Sequence, residues 1–140
     1  QQQLYAEYAQ HDFSFVKKSA ETKVEQKLLS TAQKRLKEGK YQVALNSLNQ
    51  YADLQPQDQE AALARGIALL ELGSDYPLAR TIIQDLIDSK SLLANDGLWY
   101  LALLDLKLGN FTDAKQSLRA IPQSSARSAK AQELLQRLDD

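Results

Sequence analysis

Ala32-Gln-Lys-Arg-Leu36-Lys-Glu-Gly39-Lys-Tyr41-Gln-Val-Ala44 occurs in outline three times along the chain. Its counterparts are Gly66-Ile-Ala-Leu-Leu70-Glu-Leu-Gly73-Ser-Asp-Tyr76-Pro-Leu-Ala79 and Ala102-Leu-Leu-Asp-Leu106-Lys-Leu-Gly109-Asn-Phe111-Thr-Asp-Ala114. Each phrase runs from a helix-forming stretch to a glycine, then an aromatic ring, then an alanine. The glycines Gly39, Gly73 and Gly109 stand 34 and 36 residues apart, and the second phrase carries one extra residue before its ring. Glycine just past a helix takes the left-handed conformation that closes it and lets the chain reverse. Each phrase therefore predicts a hairpin of two helices, and the period predicts that the hairpins stack.

The small residues Ala32, Gly66 and Ala102 in the first helices, and Ala44, Ala79 and Ala114 in the second, fall where two backbones must come close. Larger side chains there would overpack, at about 1–3 kcal/mol. Tyr41, Tyr76 and Phe111 open the second helices with a ring able to cover the turn. Leu48, Ile83 and Leu118, four residues after each alanine, extend the buried stripe. Pro56 and Pro122 stand where helices should end, and Asp58, Asn95 and Ser125 are candidate N-caps. The resulting helices are 20–38, 41–53, 59–72, 76–88, 97–108, 111–120 and 126–138. The last has an apolar stripe at Ala129, Leu134 and Leu138 and reads as a helix that closes the open end of the stack. No segment alternates apolar and polar residues over strand lengths, so the fold class is all-α.

Of the 140 residues, 44% are apolar, enough for a continuous core without disulfides or metals. Seventeen basic and eighteen acidic side chains nearly cancel, which disfavours non-specific attraction to nucleic acid or an anionic membrane. The longest charge-free apolar stretch near the middle, Gly97 to Leu104, is far shorter than the roughly 20 residues a membrane span needs. Without cysteine there is no disulfide framework, thiolate zinc site or thiol nucleophile. The opening Gln1-Gln2-Gln3 and the lack of methionine suggest a piece of a longer protein, with any signal or anchor upstream.

The three phrases resemble the tetratricopeptide repeat family over about residues 24–125, as repeats 24–57, 58–93 and 94–125 followed by a capping helix 126–138. Ala32, Gly39, Tyr41, Ala44 and Pro56 fit the family pattern. The second repeat departs by its extra turn residue and by Ser91 where a proline is expected, and the third by an early Pro122. The resemblance implies an α–α superhelix of three hairpins over residues 19–140, preceded by an N-terminal arm, 1–18. Leu98-Trp-Tyr-Leu-Ala-Leu-Leu-Asp-Leu-Lys-Leu-Gly109 is also similar to repeats of bacterial proteins in which a membrane helix precedes a periplasmic domain. That likeness implies an extracytoplasmic, membrane-anchored setting.

Catalytic chemistry has little to draw on. His11 is the sole histidine and has no recognisable serine or acid partner in sequence, whereas a base needs an orienting group. Asp53, Asp58 and Glu60 flank a helix boundary, where capping and dipole effects account for them. Neither a phosphate-cradling glycine loop nor a metal-ligand cluster is present, and Gly97 stands alone. The chain reads as a non-enzyme with no cofactor and no metal. Charge is unevenly spread, eight basic to three acidic over residues 17–40 and two to seven over 53–88, which fits solvated faces better than a docking patch.

In the family, first helices line a concave surface, and the resemblance places there Leu29, Gln33, Leu36 and Lys37, then Leu63, Ile67, Leu70 and Glu71, then Trp99, Leu103, Leu106 and Lys107. Leu36, Leu70 and Leu106 also read as core shared between hairpins. The partner-binding set is then Leu29, Gln33, Lys37, Leu63, Ile67, Glu71, Trp99, Leu103 and Lys107, with the three charged residues setting register. So apolar a row is rarely left wet. Either an external protein or peptide docks on it, with Trp99 as anchor, or the arm Leu4-Tyr5-Ala-Glu-Tyr8-Ala-Gln-His-Asp-Phe13-Ser-Phe15-Val16 folds back onto it. The first makes the chain a protein-interaction module. The second makes it a spacer or self-association domain of a larger envelope protein. Neither reading has the chain touch nucleic acid or the membrane directly.

Overall fold

The computed structural model describes residues 2–14 and 22–140. Among them are eight helices: α1 (Gln2–Tyr8), α2 (Lys23–Lys37), α3 (Tyr41–Leu54), α4 (Gln59–Leu72), α5 (Tyr76–Asp88), α6 (Ala94–Lys107), α7 (Phe111–Ala120) and α8 (Ser128–Asp139). No strand occurs among the described residues. Phe15 and Val16 of the arm, and the helix start expected at residue 20, lie outside them. Contacts organise the chain as two compact units, a first unit of residues 11–82 and a second of residues 83–140 with the N-terminal residues up to Gln10.

Glycine reverses the chain at all three expected places, in two different ways. Gly39 and Gly109 are left-handed, with φ of 74° and 81°. At the first, the Gly39 N–H donates to the Leu36 carbonyl at 3.0 Å and Lys40 N–H to the Arg35 carbonyl at 2.8 Å. At the third, Gly109 and Asn110 donate to Leu106 and Asp105 at 3.1 and 2.8 Å. These paired bonds are the Schellman closure, which satisfies orphan carbonyls of the last turn. Gly73, with φ of 66°, makes the single bond to the Leu69 carbonyl at 2.9 Å that marks the simpler left-handed cap. The extra residue of that repeat lets Asp75 cap α5 instead, accepting from the Leu78 N–H at 3.1 Å.

In the first unit, Thr22 starts α2 by accepting from the Glu25 N–H at 3.1 Å, the donor–acceptor half of a capping box. Glu25 is buried, and Gln55 at the end of α3 donates to both its oxygens at 3.3–3.4 Å. Asp58 does two jobs at the start of α4, accepting from the Ala61 N–H at 3.1 Å and from the Tyr51 hydroxyl at 2.6 Å. Ala32 and Ala44 are fully enclosed and Gly66 is buried where α2, α3 and α4 pack. Leu36, Leu48, Ile67 and Leu70 fill the space around them, each burial stabilising by about 1.5–3 kcal/mol.

In the second unit, α6 begins three residues before the expected start. Ser91 holds the entry, its hydroxyl accepting from the Leu93 N–H at 3.0 Å, so Asn95 lies inside the first turn and is no N-cap. The early start carries Gly97 into the helix, where it is buried: a Cβ there would sit 2.9 Å from Ile87 Cγ1 and 3.4 Å from the Ile83 carbonyl. Gly97 is thus a close-approach glycine between α5 and α6. Ser125 likewise precedes α8, accepting from the Arg127 N–H in the turn before it. The buried stripe of α8 is Ala131, Leu134 and Leu135, not the expected stripe through Ala129, which is exposed. This i, i+3, i+4 face packs on α7, where Lys115 pairs with Asp139 at 3.0 Å. Phe111 is 37% exposed and leaves its turn glycine uncovered, whereas the Tyr76 hydroxyl lies 2.8 Å from where a Gly73 Cβ would be.

Candidate functional site

The row of first-helix residues divides between the two units. In the first unit Leu29, Leu63 and Ile67 are buried in the core and Lys37 is exposed. Gln33, at 5% exposure, turns its amide outward from α2 and donates to the main-chain carbonyl of Phe13 at 3.1 Å. Phe13 is itself buried, its ring 5.7 Å from that of His11. The His11 imidazole, with only 4% of its side chain accessible, sets Nε2 3.2 Å from Glu71 Oε1 on α4. Burial, and secondarily the Glu71 charge, push the Tyr41 phenol above its ordinary value. His11 therefore does have an acid partner, sixty positions along the chain, where no sequence motif could mark it.

In the second unit Leu103 is fully buried and Trp99 is 3% exposed. Against this part of α6 lies α1, a helix absent from the sequence expectation. Its Leu4, Tyr5 and Tyr8 are buried at i, i+1 and i+4, a single stripe. The Tyr8 ring meets Trp99 edge-on, centroids 6.3 Å apart at 65°, and Lys107 Nζ stands 5.0 Å over the Tyr5 ring. Residues of α8 complete the setting: the Tyr8 hydroxyl donates to Glu133, and Arg137 pairs with Glu7. Arg137 also lies within 3.4 Å of the Tyr8 hydroxyl. Burial, then the hydrogen bond to Glu133, raise the Tyr8 phenol above its ordinary value, although the neighbouring guanidinium pulls the other way.

Cations surround this aromatic cluster. Lys130 Nζ lies 5.8 Å from the Tyr8 centroid, and the Arg127 guanidinium 5.8 and 5.2 Å from Trp99 and Tyr100. Arg127 is held by Asp96 at 2.6 Å. Beside Trp99 and Tyr8 a cavity of about 180 Å³ opens between Gln10, Arg127 and Lys130. Lys130, Glu133 and Arg137 were not among the sequence-derived row. The signal that could have found them is the i, i+1, i+4 pattern of Leu4, Tyr5 and Tyr8, which demands an apolar face with a polar rim opposite.

Among the described residues no group of three His, Cys, Asp or Glu side chains is arranged to hold a metal ion. No helix among them is long and apolar enough to cross a membrane. Residues 29–91 match the model of a family described as tetratricopeptide repeat. No curated protein and no solved structure matches the chain.

Proposed function

We propose that this chain, whose residues 29–91 match the tetratricopeptide repeat family, a non-catalytic scaffold used for protein–protein contact, is an interaction module whose partner is a protein segment held on the row of first-helix residues. One observation carries the reading. In each unit the row already grips a stretch of polypeptide outside the repeats, using the contacts a bound peptide would use. Gln33 holds a main-chain carbonyl, Glu71 a polar side chain, Trp99 and Lys107 aromatic rings. Main-chain capture fixes an extended segment whatever its sequence, while ring contacts on tryptophan supply the larger energy. An external segment reaches Gln33 or Trp99 only by displacing residues 2–13, whose tether gives them an effective concentration in the millimolar range.

The test is a displayed-peptide selection on the chain lacking residues 1–16, with binders then measured against Gln33→Ala and Trp99→Ala. Peptides that weaken by about 2 kcal/mol or more on Trp99→Ala, in a variant whose circular dichroism and cooperative melting show it folded at the assay temperature, support the reading. A selection yielding only peptides indifferent to both substitutions would sink it. The competing spacer reading, with residues 2–13 a permanent part of the fold, is favoured instead if the truncated chain loses its cooperative melting.

A further inference from the structure

We infer that the α6–α8 face of the second unit is a receptor for a partner helix of the pattern apolar–Tyr–x–Glu–Tyr, with α1 as its resident occupant; this rests on the interaction-module reading. The pattern is that of Leu4-Tyr5-Ala6-Glu7-Tyr8, and each position meets a matched group. Leu4 and the two rings are buried. The first tyrosine carries Lys107 over its face, and the second sits edge-on to Trp99 with Lys130 and Arg137 over its own. Tyrosine is preferred to phenylalanine at the last position because its hydroxyl has a built acceptor in Glu133. The glutamate one residue before it pairs with Arg137. Arg127 is paired with Asp96, but Lys107, Lys130 and Arg137 outnumber Glu133 on the rim, so the face is complementary to an acidic helix and less so to a basic one.

The occupant α1 is displaceable on physical grounds. Seven residues make about two turns, far below the roughly 12–15 at which an isolated helix becomes even marginal in water. Neither its first turn carries an acid nor its last a base, and the Gln10 side chain reaches the Ala6 carbonyl of the last turn only at 3.3 Å and in contact with water. A longer helix with the same five residues forms at lower cost and makes the same contacts. The cavity between Gln10, Arg127 and Lys130 also leaves room for a chain that continues past the second tyrosine.

The experiment uses the full chain with Tyr5→Ala and Tyr8→Ala, which strips the occupant and leaves the face intact. The probe is a fluorophore-labelled synthetic helix of about four turns carrying Leu-Tyr-Ala-Glu-Tyr, read by anisotropy and by Trp99 emission. Saturable binding at least about ten-fold tighter than to the unsubstituted chain is expected. Replacing the probe's glutamate by lysine weakens binding about five-fold, and Arg137→Glu in the chain restores it. No saturable binding, or binding blind to that charge exchange, overturns the inference. So does a dimer that grows with chain concentration and excludes the probe, since the face would then serve a second copy. If the double variant fails to fold by circular dichroism, Glu7→Lys, which breaks only an accessible ion pair, takes its place with the same probe. Displayed peptides that depend on Trp99 but lack the tyrosine and acid pattern overturn this inference alone and leave the interaction module standing.

Discussion

The first and second units hold the N-terminal residues with a different balance of contacts. Around Phe13 a buried glutamine holds a main-chain carbonyl, a contact that reads the path of the chain, and one side-chain pair, His11 with Glu71, stands beside it. Around Tyr8 the contacts are two tyrosine rings, a tryptophan edge and four cationic heads, all of which read side chains. The divergence comes from equivalent places in successive repeats, where Leu29 and Leu63 give way to Trp99 and Gln33 gives way to Leu103. One helical scaffold thus supports a contact tolerant of sequence and another that selects it, through single substitutions on the first helix of a repeat.

The sharpest way to break this contrast is Trp99→Ala. Removing a nearly enclosed indole from the second unit should cost about 3–5 kcal/mol in urea or thermal unfolding, and speed amide exchange over Leu4–Tyr8. An unchanged midpoint would mean that the ring is not part of the core. Next is Gln33→Leu in the first unit, expected to cost about 1–3 kcal/mol because the Phe13 carbonyl is left buried without its donor. Phe13 replaced by another large apolar residue should change that contact little, whereas Tyr8→Phe should cost about 1 kcal/mol through loss of the hydroxyl's charge-assisted bond to Glu133. If the two swaps cost the same, the distinction between path reading and side-chain reading fails.

Backbone conformation offers a smaller and signed comparison. Gly39, in the first unit, is left-handed with open space around it, so Gly39→Ala should cost about 1 kcal/mol from the backbone alone. Lys90, in the second, is the non-glycine counterpart at the end of α5, with φ of 55°. Lys90→Gly should stabilise by somewhat less than about 1 kcal/mol, strain relief being partly offset by unfolded-chain entropy. Denaturation midpoints moving the same way for both would refute the assignment. Gly73→Ala should exceed Gly39→Ala, since its Cβ would also displace the Tyr76 ring.

How far the sequence reveals this molecule depends on whether the signal is local. The turn glycines were legible because φ above zero is a demand that few residues meet, and the enclosed alanines because their spacing repeats. The start of α6 was misread because Asn95 has the chemistry of a cap, while the true entry is held by the Ser91 hydroxyl and a bare Leu93. Gly97 looked isolated because its reason is Ile87 on another helix. The stripe of α8 was placed through Ala129 when two alanines two residues apart competed and only packing on α7 chose Ala131. For the site, the positions of Gln33, Glu71, Trp99 and Lys107 came from the repeat pattern. What each one holds did not, since His11, Phe13, Tyr5 and Tyr8 stand far away in the chain and α1 is too short to announce itself by periodicity.

The smallest expected effect separates the units by pH. Tyr8 and Tyr41 both have phenols raised above the ordinary 10.0, in each case chiefly by burial. A folded value above the unfolded one means that the native state keeps its proton while the unfolded chain loses it. The associated stability is complete below about pH 10 and declines as pH climbs through the folded value. The secondary causes differ: a hydrogen bond to Glu133 in the second unit, the nearby Glu71 charge in the first. Glu133→Gln should therefore lower the Tyr8 titration and leave that of Tyr41 where it was, and Glu71→Gln should do the reverse. Tyrosinate absorbance during an alkaline titration, with Tyr8→Phe and Tyr41→Phe chains to assign the two rings, reads both. Should either substitution move both phenols together, the two environments are not independent, and the contrast between the units is weaker than their contacts imply.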